Sequence, residues 1–433
     1  MKVYDSYKDT NIKLVKKIPL SWNIFPLCSI ATLRKDINHT DKELLSVFLN
    51  EGVIKFSEIT TKRTNTTSTN LDKYQLVKKG DFVLNNQQAW RGSVGVSEYE
   101  GIVSPAYIVL HLNKKKIDSI FANYLFRDVF SVSQYLIGSQ GVGTIQRNLY
   151  WNNLKRISVI LPPLNEQKAI ANFLNEKSAL IDKAINLKET EIERLKEYKQ
   201  ATIQKLVTQG LDPDVEMKDS GISWLGNIPK HWGKFAIKYC LAIPITDGPH
   251  TTPTLIESGI PFISAEAIKN NKIDFSKKRG FISLVDHQLF CMKYKPQLFD
   301  IYMVKSGATT GNIAIVETED EFSIWSPLAV FRANQNIIRY KFLFYFLQSF
   351  SFRKGVELSW SFGTQQNIGM GVLSNLPIAI PPLTDQKIIV KELDVITQNI
   401  DKSIQLKLNE IEKLKEYKRS LINDAVTGKI SVL

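Results

Sequence analysis

The sequence predicts an α+β protein: two globular domains joined by an antiparallel pair of long helices, the whole built as a pseudo-two-fold internal repeat. Three observations carry that prediction. A short motif occurs twice, each copy opens a stretch with apolar residues at helical spacing, and each stretch follows a region of short β-rich runs separated by Gly-containing turns.

The first globular domain is assigned to residues 1–164. Runs such as Phe82-Val83-Leu84 and Tyr107-Ile108-Val109-Leu110 read as strands, and one helix is expected near Ile120 to Phe130. A strand at Ile157-Ser158-Val159-Ile160 is ended by Pro162-Pro163, which forces an extended entry into the next element. This domain holds 22 Lys and Arg against 13 Asp and Glu, most of the net charge of +13.

The first long helix is assigned to 165–210. From Glu166 to Gln209 there is neither Pro nor Gly, and Ile170, Leu174, Ile181, Ile185, Ile192, Leu195, Ile203 and Leu206 keep one apolar stripe on one face. At about 1.5 Å per residue this is a rod of roughly 65 Å, which cannot bury its stripe alone. Gly210 and Pro213 close it. A linker and second globular domain occupy 211–379, with a helix expected near Ile337 to Phe350 and a strand at Ile378-Ala379-Ile380 before Pro381-Pro382. The crowded Phe342, Phe344, Tyr345 and Phe346 read as core.

The second long helix, 380–433, copies the first. Leu161-Pro162-Pro163-Leu164-Asn165-Glu166-Gln167-Lys168 matches Ile380-Pro381-Pro382-Leu383-Thr384-Asp385-Gln386-Lys387 at an offset of 219, and Leu195-Lys196-Glu197-Tyr198-Lys199 falls on Leu414-Lys415-Glu416-Tyr417-Lys418. Two rods with matched stripes are most simply paired with each other. Lys188 and Lys407 stand at equivalent points, where a solvated face or a register mark is expected. The globular halves also begin alike: Lys8-Asp9-Thr10, Ile18-Pro19 and Trp22 match Lys218-Asp219-Ser220, Ile228-Pro229 and Trp232 at an offset of 210.

Composition excludes several classes. An apolar content of 43% and a charged content of 23% are globular values, and the positive balance suits a polyanionic partner. The three cysteines, Cys28, Cys240 and Cys291, read as reduced thiols of a cytoplasmic protein, and no membrane-spanning run is seen. His287 and Cys291 have a ligand-like spacing without a second pair, so no metal site is expected. No triphosphate-cradling G-x-x-x-x-G-K-[ST] occurs, and Gly138-Ser139-Gln140-Gly141-Val142-Gly143 lacks the strand, helix and acidic partner of a dinucleotide loop. Glu216-Met217-Lys218 sits in a linker, unlike the rigid carboxylates of a metal-dependent nuclease. The Pro-Pro pairs have no polar acceptor before them and no ring behind, so no base methyltransferase motif is present. The chain reads as non-enzymatic, with no catalytic residues and no cofactor of its own.

Together the duplicated P-P-L-x-[ED]-Q-K helices, their L-K-E-Y-K segments and the linker from Leu211 to Gly226 resemble the DNA-specificity subunit of type I restriction-modification systems, over nearly the whole chain. The loops Asp247–Pro253, Lys305–Gly311 and Gly363–Asn367 look like elements of that family's target recognition domains; Trp90-Arg91-Gly92-Ser93 departs from the matching Thr309-Thr310-Gly311-Asn312. The resemblance implies that each domain reads one half of a split site on double-stranded DNA. It implies two modification (methyltransferase) subunits and restriction (motor-nuclease) subunits as partners, with S-adenosylmethionine, ATP and Mg bound by those partners.

Base readers are expected on polar loops, with amides for adenine and Arg for guanine. The candidates are Asn86, Gln87, Gln88, Arg91, Gln146, Arg147 and Asn148 in the first domain. In the second they are His250, Thr251, Thr252, Lys305, Thr309, Thr310, Gln365, Gln366 and Asn367. Lys114-Lys115-Lys116 is a further phosphate-contact candidate. The rival reading is a coiled-coil scaffold that binds other proteins and no DNA.

Overall fold

The computed structural model describes residues 2–49, 51–59, 70–141, 147–359 and 367–433. Its helices, in chain order, are α1 (Ser119–Arg127), α2 (Val129–Gly138), α3 (Trp151–Leu154), α4 (Leu164–Gln209), α5 (Leu284–Lys293), α6 (Tyr340–Gln348), α7 (Phe350–Leu358), α8 (Met370–Asn375) and α9 (Leu383–Val426). Two compact units form: unit 1 takes residues 1–188 with 408–433, and unit 2 takes 189–407. Each unit thus contains part of both long helices.

In unit 1 the hairpin Tyr7–Ile12 with Val15–Pro19 precedes a four-stranded antiparallel sheet. Its order is Ala31–Arg34, Tyr107–Leu112, Phe82–Asn85, Val94–Val96, with Leu110 opposite Phe82 and Tyr107 opposite Asn85. Unit 2 repeats the plan. The hairpin Met217–Asp219 with Asn227–Pro229 precedes a sheet ordered Thr246–Asp247, Leu328–Phe331, Ile301–Val304, Ile313–Ile315. The β-rich runs at 82–85, 107–112, 158–161 and 377–380 are strands where the sequence placed them. The last two pair with Asn23–Pro26 and Gly233–Ala236, in each case immediately before a Pro-Pro pair and a long helix.

The expectation of one helix per half is corrected: the helix expected near Ile120 to Phe130 is followed by α2 and α3, the one near Ile337 to Phe350 by α7 and α8, and α5 precedes the latter; α1 and α2, and likewise α6 and α7, are separated by a single residue. Asp128 and Ser349 have extended backbones, and each side chain accepts a hydrogen bond from an N–H of the following turn: Phe130 N–H for Asp128 and Phe352 N–H for Ser349. Each therefore ends one helix and caps the next, a break that neither Pro nor Gly announces. Burial pushes the Asp128 carboxyl above its ordinary range, against the Phe130 and Asn423 donors that pull it down.

Both long helices are rooted the same way. Gln167 and Gln386 occupy the Gln of the repeated motif, at 1% and 0% exposure. Gln167 Nε2 donates to Lys116 O (2.9 Å) and Pro162 O (3.0 Å), while its Oε1 accepts from Asp118 N–H (2.8 Å). Gln386 makes the same three bonds to Ile337 O, Pro381 O and Arg339 N–H, at 3.0, 2.9 and 2.7 Å. A single amide thereby ties the helix start to the loop leading into α1 or α6.

The far ends match as well. In unit 2 the end of α4 is held by Gln204, bonded to Ser351 N–H and Oγ, and by Gly210 at φ +77°, whose Cβ would lie 3.2 Å from the Trp232 ring. In unit 1 the end of α9 is held by Asn423, which donates to Asp128, and by Gly428 at φ +77° against Trp22.

Within each unit the two helices run antiparallel with their stripes buried. Ile170, Leu174, Ile181, Ile185, Ile411 and Leu421 are buried in unit 1; Ile192, Ile203, Leu206, Ile389, Leu393 and Ile400 are buried in unit 2. Ion pairs fix the direction. Unit 1 joins Asp182 to Lys418 (2.7 Å) and Lys188 to Glu410 (2.5 Å); unit 2 joins Glu191 to Lys407 and Lys199 to Asp401 (2.7 Å). From the sequence, Lys188 and Lys407 read as solvated or as a register mark. They are partners of Glu410 and Glu191, and the four bridges are related by the offset of 219.

Candidate nucleic-acid interface

In unit 1 the candidate readers gather at one end of the four-stranded sheet. The strand Phe82–Asn85 leaves the sheet at Asn85, whose side chain accepts from Gln87 N–H at 3.0 Å and so starts a tight turn. A 3-10 turn at Ala89–Arg91 comes next, anchored by fully buried Ala89 and ended by Gly92 at φ +99°. The chain at 147–149 returns to the same place: Leu149 N–H donates to Asn86 O at 2.9 Å, and Asn148 is bridged to Gln140.

Trp90 is the centre of this group. Its indole N–H donates to Gln87 O at 3.0 Å, and the Arg91 and Arg147 guanidinium carbons stand 4.6 and 5.9 Å from its rings. A ring held against two cations fixes their planar forks, which suits bidentate contact to a guanine edge or a phosphate. Among the described residues the Asn86 Oδ1 is buried with no hydrogen-bond donor, which in a native fold calls for an explanation. Asn86, Gln87, Gln88, Arg91, Arg147 and Asn148 are thus brought together; Gln146 lies outside the described residues. Lys114, Lys115 and Lys116 come after the opposite end of the strand Tyr107–Leu112, where Lys116 donates to Ser29 O at 3.0 Å.

In unit 2 the organising group is Asp247, fully buried at the start of the loop Asp247–Pro253 that the resemblance singled out, though not among the candidate readers. Lys293 Nζ bonds its Oδ1 at 2.5 Å and also donates to Gly248 O at 3.0 Å. Its Oδ2 accepts no well-aligned hydrogen bond but faces Lys305 Nζ and His250 Nε2, each 3.3 Å away. Gly248 packs so closely that a Cβ would fall 2.0 Å from Ile324 O. Asp247-Gly248 therefore fixes the root of the exposed His250-Thr251-Thr252 loop.

Lys305 leaves the strand Ile301–Val304 beside that root. Its carbonyl accepts from Ile368 N–H at 2.8 Å, and Ser306 is bridged to Asn367. Thr309 and Thr310 form the next turn, where Thr310 Oγ1 donates to Gly307 O at 2.7 Å before Gly311 at φ +93°. Gly311 and Gly92 hold the same left-handed place in the two units, ahead of the strands Ile313–Ile315 and Val94–Val96, while the divergent segments before them bond differently. The structure joins His250, Lys305 and Asn367, with Thr251, Thr252, Thr309 and Thr310 on the same loops; Gln365 and Gln366 lie outside the described residues. Sequence reading also passed over Trp325, with the Arg279 guanidinium 3.9 Å from its rings. No local signal links residues 46 apart in sequence. His287 and Cys291 lie on α5, where His287 Nδ1 meets Ser323 Oγ at 2.8 Å.

The comparisons with known proteins bear on the whole chain. The family model described as type I restriction modification DNA specificity domain matches residues 19–197 and 249–413. The chain belongs to this family. Among its relatives is the type I restriction enzyme MjaVIII specificity subunit of Methanocaldococcus jannaschii, 26% identical over 448 residues, covering 98% of this chain and 97% of that one. The EcoBI specificity subunit of Escherichia coli is 24% identical over 277 residues, covering 63% and 58%. A solved chain from a study of complex assembly and conformational transition of the type I R-M system has the same fold, with a TM-score of 0.71 at 17% identity, covering 95% of this chain and 99% of that one. The HsdS subunit of Thermoanaerobacter tengcongensis has a TM-score of 0.53 at 16% identity, covering 95% and 98%. Among the described residues no helix is long and apolar enough to cross a membrane.

Proposed function

We propose that this chain is the DNA-reading subunit of a type I restriction-modification complex and catalyses nothing itself. Unit 1 reads one half of a bipartite duplex site through Asn86, Gln87, Gln88, Arg91, Arg147 and Asn148. Unit 2 reads the other through His250, Thr251, Thr252, Lys305, Thr309, Thr310 and Asn367. The observation that carries this reading is one scaffold built twice, with unlike polar loops: an Arg-Trp-Arg group in one unit and, in the other, a buried Asp247 facing Lys305 and the exposed His250.

The long helices set the spacing between half-sites and dock two modification subunits. Each unit exposes one Leu and one Tyr of the repeated helix motif, Leu187 with Tyr417 and Leu406 with Tyr198, all between 49% and 63% exposed. Two equivalent apolar faces suit two copies of one partner. Restriction subunits complete the complex, and S-adenosylmethionine, ATP and Mg act on the partners.

Two measurements test this. Arg91→Ala is expected to weaken specific DNA binding by about 1–3 kcal/mol, measured by titration with the modification subunit present, and to relax base preference within one half-site only. A uniform loss across unrelated sequences removes Arg91 from the reading set. Inserting four helical residues after Leu187 lengthens the rod by roughly 6 Å and is expected to widen the methylated site by one or two base pairs at about 3.4 Å each. An unchanged gap in methylation mapping removes the ruler. A chain that shows no salt-dependent affinity for duplex DNA with its partner present is instead a protein scaffold.

A further inference from the structure

A three-stranded sheet in unit 2 gathers a charged pair at one of its ends. Its order is Gly280–Ile282, Ile260–Ile263, Ser323–Ile324, the last two strands parallel and the first antiparallel to them. Arg279 therefore enters the sheet where Ile263 and Ile324 leave it. Arg279 N–H donates to Phe262 O and Trp325 N–H to Ile263 O, both at 2.9 Å. Glu266 follows on the 3-10 turn Ala265–Ala267, just beyond Ile263. The root of the His250 loop is packed here as well, since a Cβ on Gly248 would fall 2.7 Å from the Trp325 carbonyl carbon.

The Arg279 guanidinium lies over the Trp325 ring, 3.9 Å from its centroid. Stacking holds the planar fork in place without using any of its donors. Glu266 Oε1 is 3.7 Å from Arg279 Nη1, beyond hydrogen-bond length, and among the described residues the guanidinium makes no hydrogen bond. The Arg279 side chain is 35% exposed and that of Glu266 59%, so an ion pair at this separation adds little to stability. What remains is a cationic fork with unpaired N–H groups and a carboxylate acceptor, held side by side next to the His250 loop.

Resting on the proposed DNA-reading role of unit 2, we infer that Arg279 and Glu266 together read one G·C pair through the major groove. Arg279 donates to guanine N7 and O6, and Glu266 accepts from the cytosine N4 amino group. Only G·C presents two acceptors followed by a donor; A·T presents an acceptor, a donor and an acceptor. Guanine O6 and cytosine N4 are bonded to each other, about 2.9 Å apart, a spacing that two side chains 3.7 Å apart can meet with a small adjustment. The carboxylate also selects against a phosphate, which it would repel.

Selection of randomised DNA duplexes on the full chain, with its modification subunit present, tests the proposal. The duplexes enriched by the wild-type chain are expected to share two invariant segments. Arg279→Ala and Glu266→Ala are each expected to randomise the same G·C pair, in the segment that Arg91→Ala leaves unchanged, and to keep the other positions invariant. On the wild-type site, Arg279→Ala is expected to weaken binding about tenfold. Arg279→Lys, which keeps the charge without the fork, is expected to weaken it about as much. Three results overturn the inference: a wild-type preference that Arg279→Ala leaves intact, relaxation at different pairs in the two Ala variants, or an equal loss on all sequences, as for a phosphate contact. A wild-type chain that enriches no sequence overturns the proposed function with it.

Discussion

Asp247→Ala is expected to destabilise unit 2 by about 3–5 kcal/mol, the range for removing one partner of a buried ion pair. Asp247 is fully buried and faces Lys293, Lys305 and His250, and Lys305 is itself 8% exposed. Without the carboxylate, the Lys305 side chain loses its counter-charge in a poorly solvated place. The Gly248 carbonyl also loses the clamp that Lys293 forms between it and Asp247. Scanning calorimetry of the full chain is expected to show the loss in one transition, with DNA affinity falling because the His250-Thr251-Thr252 loop has lost its root. Asp247→Asn, which keeps the shape and removes the charge, is expected to lose nearly as much. A change below about 1 kcal/mol would mean that water or a chain rearrangement satisfies both lysines, and that Asp247 is not the anchor.

Gln386→Ala is expected to cost unit 2 about 2–4 kcal/mol, and Gln167→Ala to cost unit 1 the same. Each amide makes three bonds to backbone groups, and truncation leaves buried donors and acceptors unpaired at about 1–3 kcal/mol each, partly relieved by relaxation. The specific expectation is the equality of the two losses, because the bonds are the same in partner type and nearly the same in length. Gln→Glu at either site is a sharper probe: it removes the two donated bonds and places a charge against two carbonyls, so it is expected to be worse than Ala. Unfolding that shows no loss in either single variant would mean that relaxation or water satisfies the freed backbone groups and that the amide is not a clasp.

The repeat was the most legible part of the sequence, and the structure explains why. Gln167 and Gln386, Gly210 and Gly428, and Trp22 and Trp232 each do a job that tolerates few substitutes: a three-bond clasp, a left-handed cap and a ring packed under that cap. Positions so constrained keep their identity in both copies. The helix stripe was legible because burial at a period of 3.6 leaves a pattern in a single sequence. The breaks at Asp128 and Ser349 were not read, because the apolar runs on either side continue in phase and the interruption comes from a side-chain cap.

The candidate site was legible at the level of loops and not of anchors. Polar clusters at Asn86–Arg91 and His250–Thr252 announced themselves by composition. The anchoring role of Asp247 gave no such signal, although its loop was singled out, since its partners Lys293 and Lys305 are 46 and 58 positions away in the sequence. Trp325 gave no local signal either, since its Arg279 neighbour is 46 positions away.

Unit 1 is assembled from both extremities of the chain, residues 1–188 and 408–433. During synthesis the ribosome therefore releases everything unit 2 needs while the first-made unit still lacks its closing turn of α9, Asn423 and Gly428. A premature stop codon shortly after position 407 removes the part of α9 that unit 1 contains and leaves residues 189–407 of unit 2 in place.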